Sequence, residues 1–180
     1  MIVLIFVIFS LIYFKYFNSN QKNLIIKKLD ANKNNTSNYI DNISHTSLDT
    51  KGNRYQITSR QAEIDINNKN VMFLEDVIAY IFLKDSDTVK ITSDFGKYNA
   101  KNYDTIFSKN VIVVYPDHKI TGDYLDFSFL NNLGTISTNV IYTGNKKKMF
   151  ADRVEMNIET KDTKIFMNDI KKQVLIEGTK

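Results

Sequence analysis

The sequence predicts an all-β body of stacked short strands behind one N-terminal transmembrane helix. Three observations predict the body. From Tyr39 onward apolar and polar residues alternate with a period of two, as strands with one buried face require. Ile, Val, Thr, Tyr and Phe are plentiful there, whereas helix formers such as Ala and Glu are scarce. One stretch, Val89 to Tyr115, recurs before and after itself, which marks an array of stacked units.

Residues 1–17, MIVLIFVIFSLIYFKYF, are apolar except for Ser10 and Lys15. As a helix they would be roughly 25 Å long, within reach of the ~30 Å hydrocarbon layer if Tyr13, Lys15 and Tyr16 sit at its interface. The run has no basic n-region and no small-x-small cleavage site, so an uncleaved single-span anchor is expected over a signal peptide. Lys15, Lys22, Lys27 and Lys28 follow the span, and the positive-inside rule alone would put them in the cytoplasm. Residues 18–38, rich in Asn, Lys and Ser around a small apolar island at Leu24–Leu29, read as a polar tether.

The β body, residues 39–180, opens with YIDNISHTSL, a turn at Asp49–Gly52 and the run NRYQITSRQAEIDI. Asp-x-x-Gly between two alternating runs is a hairpin signal. In the unit that follows, Val89, Ile91 and Ser93 alternate, then Gly96, Tyr98 and Ala100, then Thr105 and Phe107, then Val111, Val113 and Tyr115. Breaks at Asp94-Phe95, Lys101–Asp104 and Ser108–Asn110 carry turn residues, so the unit reads as three or four short strands. Shifted back by 34 positions, Ile91, Tyr98, Phe107 and Val111 fall on Ile57, Ile64, Phe73 and Val77; shifted forward by 29, they meet Ile120, Phe127, Ile136 and Val140. A looser fourth copy places Met149, Met156 and Ile158 early and Phe166 and Ile170 late, after a turn about one residue longer.

Composition excludes several kinds of chemistry. No cysteine is present, which removes disulfides, thiol catalysis and thiolate metal sites. His45 and His118, far apart and each beside turn residues, read as surface or turn histidines, so neither a metal site nor a cofactor is expected. There is no Gly-x-Ser-x-Gly and no phosphate-cradling glycine loop. Glu63/Asp65 and Asp123/Asp126 read as solvated strand faces, not as an acid/base couple. Net charge is +4, spread over 24 basic and 20 acidic residues with no recognition helix or stacking platform, which argues against nucleic acid. The chain therefore reads as a binding protein and not an enzyme.

The combination of a short span, a polar tether, Asp41-Asn42-Ile43, the Asp49–Gly52 turn and Tyr55-Gln56-Ile57-Thr58-Ser59 resembles the LptC family. Gly96-Lys97-Tyr98, Ile106-Phe107, Asn110-Val111 and Leu125-Asp126-Phe127 are similar to repeats that LptC shares with LptA and the periplasmic part of LptD. Two departures stand out: Thr58-Ser59 where Thr-Ala is common, and Lys109-Asn110 and Thr138-Asn139 where a glycine is usual. The resemblance implies a folded-over antiparallel sheet, jellyroll-like and V-shaped in section. It also implies an inner-membrane anchor with the body in the periplasm, and passage of lipopolysaccharide from the transporter of LptB, LptF and LptG to LptA.

Read on residues alone, stacked units with bulky Phe, Tyr and Met can line a trough instead of filling a closed sandwich. The candidate lining is Ile57, Ile64, Phe73, Ile91, Tyr98, Phe107, Ile120, Phe127, Ile136, Met149, Met156 and Ile158. An array also has two open edges, which invite strand addition. The first strand, with Ile40 and Ile43, is expected to meet the transporter. The last, Lys164 to Ile176 with Phe166, Ile170, Val174 and Ile176, is expected to meet LptA. The competing readings are a membrane-tethered module that assembles envelope proteins without carrying lipid, and a soluble bridge with a cleaved N-terminus.

Overall fold

The structure, a computed structural model, describes residues 39–49, 51–84, 86–169 and 173–178. The expected anchor at 1–17, the tether at 18–38 and Ile170 lie outside the described residues. Among those described, no helix is long and apolar enough to cross a membrane.

Alternation from Tyr39 onward builds one antiparallel sheet: β1 (Tyr39–Leu48), β2 (Arg54–Ile64), β3 (Val71–Phe82), β4 (Val89–Asn99), β5 (Thr105–Tyr115), β6 (His118–Ser128), β7 (Leu133–Gly144), β8 (Lys147–Asn157), β9 (Thr163–Phe166) and β10 (Leu175–Gly178). Strands adjacent in sequence are adjacent in the sheet as far as β8, whose outer edge is shared by β9 and β10. The Asp49–Gly52 hairpin forms as expected. Asp49 Oδ1 accepts from the N–H groups of Lys51 (2.9 Å) and Asn53 (2.8 Å), and Gly52 adopts φ +88°, which favours glycine.

The repeat unit differs from its reading in sequence. It is a hairpin of two 11-residue strands, β4 and β5, and only Lys101–Asp104 among the three breaks belongs to a connection. Asp94-Phe95 and Ser108–Asn110 are bulges inside the strands, where register slips between Thr92 and Phe95 and between Ser108 and Val111. A bulge resets the two-residue parity and uses the residue types of a turn, so a single sequence presents the two alike.

These bulges recur. Left-handed backbone appears at Asn42, Asp76, Lys109, Asn110, Thr138 and Asn139, with φ between 51° and 69°. Side-chain ties cross the pair at three such places: Asn110 Nδ2 donates to Asp94 Oδ2 (2.7 Å), Asn139 Nδ2 to Asp123 Oδ2 (2.5 Å) and the Asn168 N–H to Asp152 Oδ2 (2.7 Å). In the first unit the Arg60–Asp76 ion pair holds the same place. All four ties join residues 16 apart, and their offsets of 34, 29 and 29 are those of the repeat. The fourth copy thus keeps the 29-residue spacing. Val154 pairs with Ile165 as Leu125 pairs with Ile136, so Ile165, not Phe166, takes the position of Ile136. Phe166 pairs with Arg153 and lies 4.2 Å under its guanidinium on the other face. The expected last strand is two short ones, β9 and β10.

Asn tolerates left-handed backbone through its short polar side chain, but Thr138, being β-branched, is strained there. Thr138→Gly is expected to raise the stability of the β domain by about 1 kcal/mol, and Asn139→Ala to lower it by about 1–2 kcal/mol. Urea midpoints of the two variants check this.

The bulges form a line across the sheet, about which it folds over. The lower arm carries the β1–β2, β3–β4, β5–β6 and β7–β8 connections; the upper arm carries the others. Space is least inside a bend. Small residues stand there accordingly: Ser59, Ala62, Ser93, Gly96, Ser108, Gly122 and Ala151, all buried. A Cβ on Gly122 would lie 2.9 Å from Ile136 Cγ1.

Candidate functional site: an apolar groove between the arms

The two arms meet tightly at one end of the sheet. Tyr55 of lower β2 is fully buried, its ring 5.4 Å from that of Phe127 and 5.9 Å from that of Phe129 in and after upper β6. Its hydroxyl shares a 2.9 Å hydrogen bond with Thr105 Oγ1 of upper β5. Burial pushes the Tyr55 phenol well above its ordinary pKa, so the hydroxyl stays protonated. Beside it His45 of lower β1 packs against the rings of Tyr98 (5.4 Å) and Tyr103 (5.8 Å). At the mouth, Lys51 of the β1–β2 turn forms an ion pair with Glu159 after β8, linking the lower and upper lips.

The first two lower strands lean on the middle upper strands, and farther along, between lower β4–β8 and the upper strands opposite, the arms leave a gap. A cavity of about 460 Å³ opens there, within the ~300–1,000 Å³ range of ligand sites. Ile91, Ile120 and Met149 line it from below; Phe127, Ile136, Val154, Met156, Ile158 and Ile165 line it from above. Carbon dominates the wall, and the polar exceptions are Tyr115, His118, Tyr142, Lys161 and Thr163.

Seven of the twelve candidate lining residues stand around this cavity: Ile91, Ile120, Phe127, Ile136, Met149, Met156 and Ile158. The other five do not. Ile57, Tyr98 and Phe107 are at most 1% exposed and belong to the filled core. Phe73 lies on the opposite face, paired with Glu63 and Lys97, because left-handed backbone at Asp76 reverses side-chain parity between it and Val77 without a slip in register. Ile64, half-buried at the end of β2, is outside the cavity wall. Periodicity assigns residues to a face, but it carries no information on which part of that face the other arm covers.

The histidines also differ from their reading as surface or turn residues. His45 is on the inner face, and His118 lines the groove. The edge candidates sit at the two ends of the sheet. Ile40 and Ile43 are on β1, with Ile43 packed toward the core, while Ile176 is on β10 opposite Met149 and Val174 just before it. Among the described residues no cluster of His, Asp or Glu could hold a metal ion.

The family described as "Lipopolysaccharide-assembly, LptC-related" matches residues 1–168. The chain belongs to that LptC-related family. Its members are non-enzymatic components of lipopolysaccharide transport. The fold is similar to the crystal structure of LptH, the LptA-homologous periplasmic component of the lipopolysaccharide transport device of Pseudomonas aeruginosa. That match has a TM-score of 0.53 at 10% identity and covers 68% of this chain and 93% of LptH. No curated protein sequence matches the chain. The LptC-family fold and the LptH likeness account for an open antiparallel sheet of repeated hairpins, and the groove is the space that this chain's own packing leaves within it.

Proposed function

We propose that this LptC-family chain is a membrane-anchored periplasmic adaptor that passes lipopolysaccharide from an inner-membrane ABC transporter to a periplasmic bridge protein through its apolar groove. The observation that carries the reading is the groove itself, an apolar cavity left open in a sheet whose other half is filled. An acyl chain of ~12 carbons is worth on the order of 10 kcal/mol of transfer from water at ~0.8 kcal/mol per methylene, so it needs a continuous apolar shelter. A groove as greasy as the bilayer makes that transfer nearly level. It supplies no direction, so the work comes from an ATPase partner, LptB with LptF and LptG.

Residues 1–17 serve as the single inner-membrane span and 18–38 as the tether that places the β domain, 39–180, on the periplasmic side. Each end of the sheet presents an edge for strand addition: β1 to the transporter, and β9 with β10 to LptA. Groove residues Ile91, Ile120, Phe127, Ile136, Met149, Met156 and Ile158 hold the acyl chains.

The test is direct binding. The full chain, kept soluble in amphipol, is titrated with fluorescent lipid A and challenged with unlabelled lipopolysaccharide. Saturable, competed binding is expected; its absence would leave a tethered scaffold that assembles envelope proteins without carrying lipid.

A further inference from the structure

One stretch of the groove wall carries hydrogen-bonding groups among the carbon. Tyr115, His118 and Tyr142, from the ends of β5, β6 and β7, stack as a row along the lower lip. The ring centroids are 6.5 Å (Tyr115–His118) and 5.7 Å (His118–Tyr142) apart, with planes tilted by only 15° and 21°. His118 Nδ1 is 2.6 Å from the Tyr142 hydroxyl, and the Tyr115 hydroxyl is 2.8 Å from Ser86 Oγ. The row is fitted from behind by Gly144, where a Cβ would stand 2.6 Å from His118 Nδ1 and 2.7 Å from the Tyr142 oxygen. All three rings line the same cavity as the apolar residues above.

A hydrocarbon tail can cover the ring faces of this row but makes no use of its nitrogen and hydroxyl groups. The row suits a ligand whose chain begins at a hydrogen-bonding linkage. With Nδ1 engaged by Tyr142, the imidazole keeps one ring nitrogen, Nε2, to donate or accept, and each phenol keeps further capacity beside its one bond.

We propose that the Tyr115–His118–Tyr142 row is a polar subsite of the groove. It takes the amide or ester carbonyl and neighbouring hydroxyl of an acylated amphiphile, so that the groove selects acylated glycolipids over plain hydrocarbon. This rests on the lipid-carrier reading and adds a specificity determinant to it. His118 is the central hydrogen-bonding group, and Tyr142 and Gly144 position it.

The test compares two probes of equal chain length on the full chain in amphipol: a 3-hydroxyacyl amide of glucosamine, and a plain alkylnaphthalene dye. His118→Phe keeps a ring in the stack and removes both nitrogens; Gly144→Ala keeps every polar group and displaces the row. Each is expected to weaken the hydroxyacyl amide about five- to tenfold, the worth of one or two net hydrogen bonds, while the dye, whose retained binding shows that the groove is still formed, binds no more weakly than to the unmodified chain. An equal loss for both probes, or no loss for either, overturns the subsite. If the unmodified chain takes up neither probe, the carrier reading itself falls, an outcome distinct from a failure of selectivity.

Discussion

Phe107→Ala is expected to destabilise the β domain by about 3–5 kcal/mol, a large share of the ~5–15 kcal/mol that holds an ordinary domain together. Phe107 is 0% exposed and sits between Gly96 and Leu125 in the sheet, in the half where the arms are in contact. Truncation there leaves a void that the tied bulges prevent from collapsing. Met156→Ala, by contrast, removes a side chain that borders space already open and that is only partly buried, so it is expected to cost about 1 kcal/mol. Urea unfolding followed by tyrosine fluorescence measures both, and the ratio between them reports the division of the sheet into a filled half and an open one.

The second large effect falls on binding, not on folding. Met149 and Met156 lie on the lower and upper arms, both half-buried and both lining the groove. Met149→Glu or Met156→Lys places a charge that water solvates while the groove is empty and that an acyl chain would strip of that water. Desolvating an unpaired charge costs several kcal/mol, so lipid A affinity is expected to fall at least about 100-fold while the urea midpoint stays close to that of the unmodified chain. Titration with fluorescent lipid A decides it. A charge tolerated without loss of affinity would mean that the tails do not pass between these two residues.

Strand content and the repeat were readable because alternation and the 34- and 29-residue offsets are properties of local sequence. Strand boundaries were not, since a bulge such as Asp94-Phe95 uses turn residues and shifts parity as a turn would. The ties between Asp94 and Asn110, and between Asp123 and Asn139, were in plain view as pairs 16 apart recurring at 29, and they carried the register that places Ile165, not Phe166, opposite Val154. The groove was half legible. Period two put Ile57, Tyr98 and Phe107 on the same face as Ile120, Ile136 and Met149, and it could not say that Tyr55 reaches across to Thr105 and fills the space in front of the first group. The face of Phe73 is hidden for a related reason, a left-handed residue at Asp76 that reverses side-chain parity with no slip in register. The place of His118 is not legible because a histidine beside a turn has no distinguishing pattern; its partner Tyr142 is 24 residues away and meets it only through the β6–β7 pairing.

Photocrosslinking in the intact bacterium probes the division most directly. The photoreactive phenylalanine analogue benzoylphenylalanine would be placed singly at Met149, Met156 and Ile43, each half-buried on the inner face, and irradiated during active transport. Lipopolysaccharide adducts at Met149 and Met156 with none at Ile43 are predicted. Adducts at Ile43 matching those at the two methionines, or none at any of the three, would contradict an acyl-chain path confined to the open half of the folded sheet.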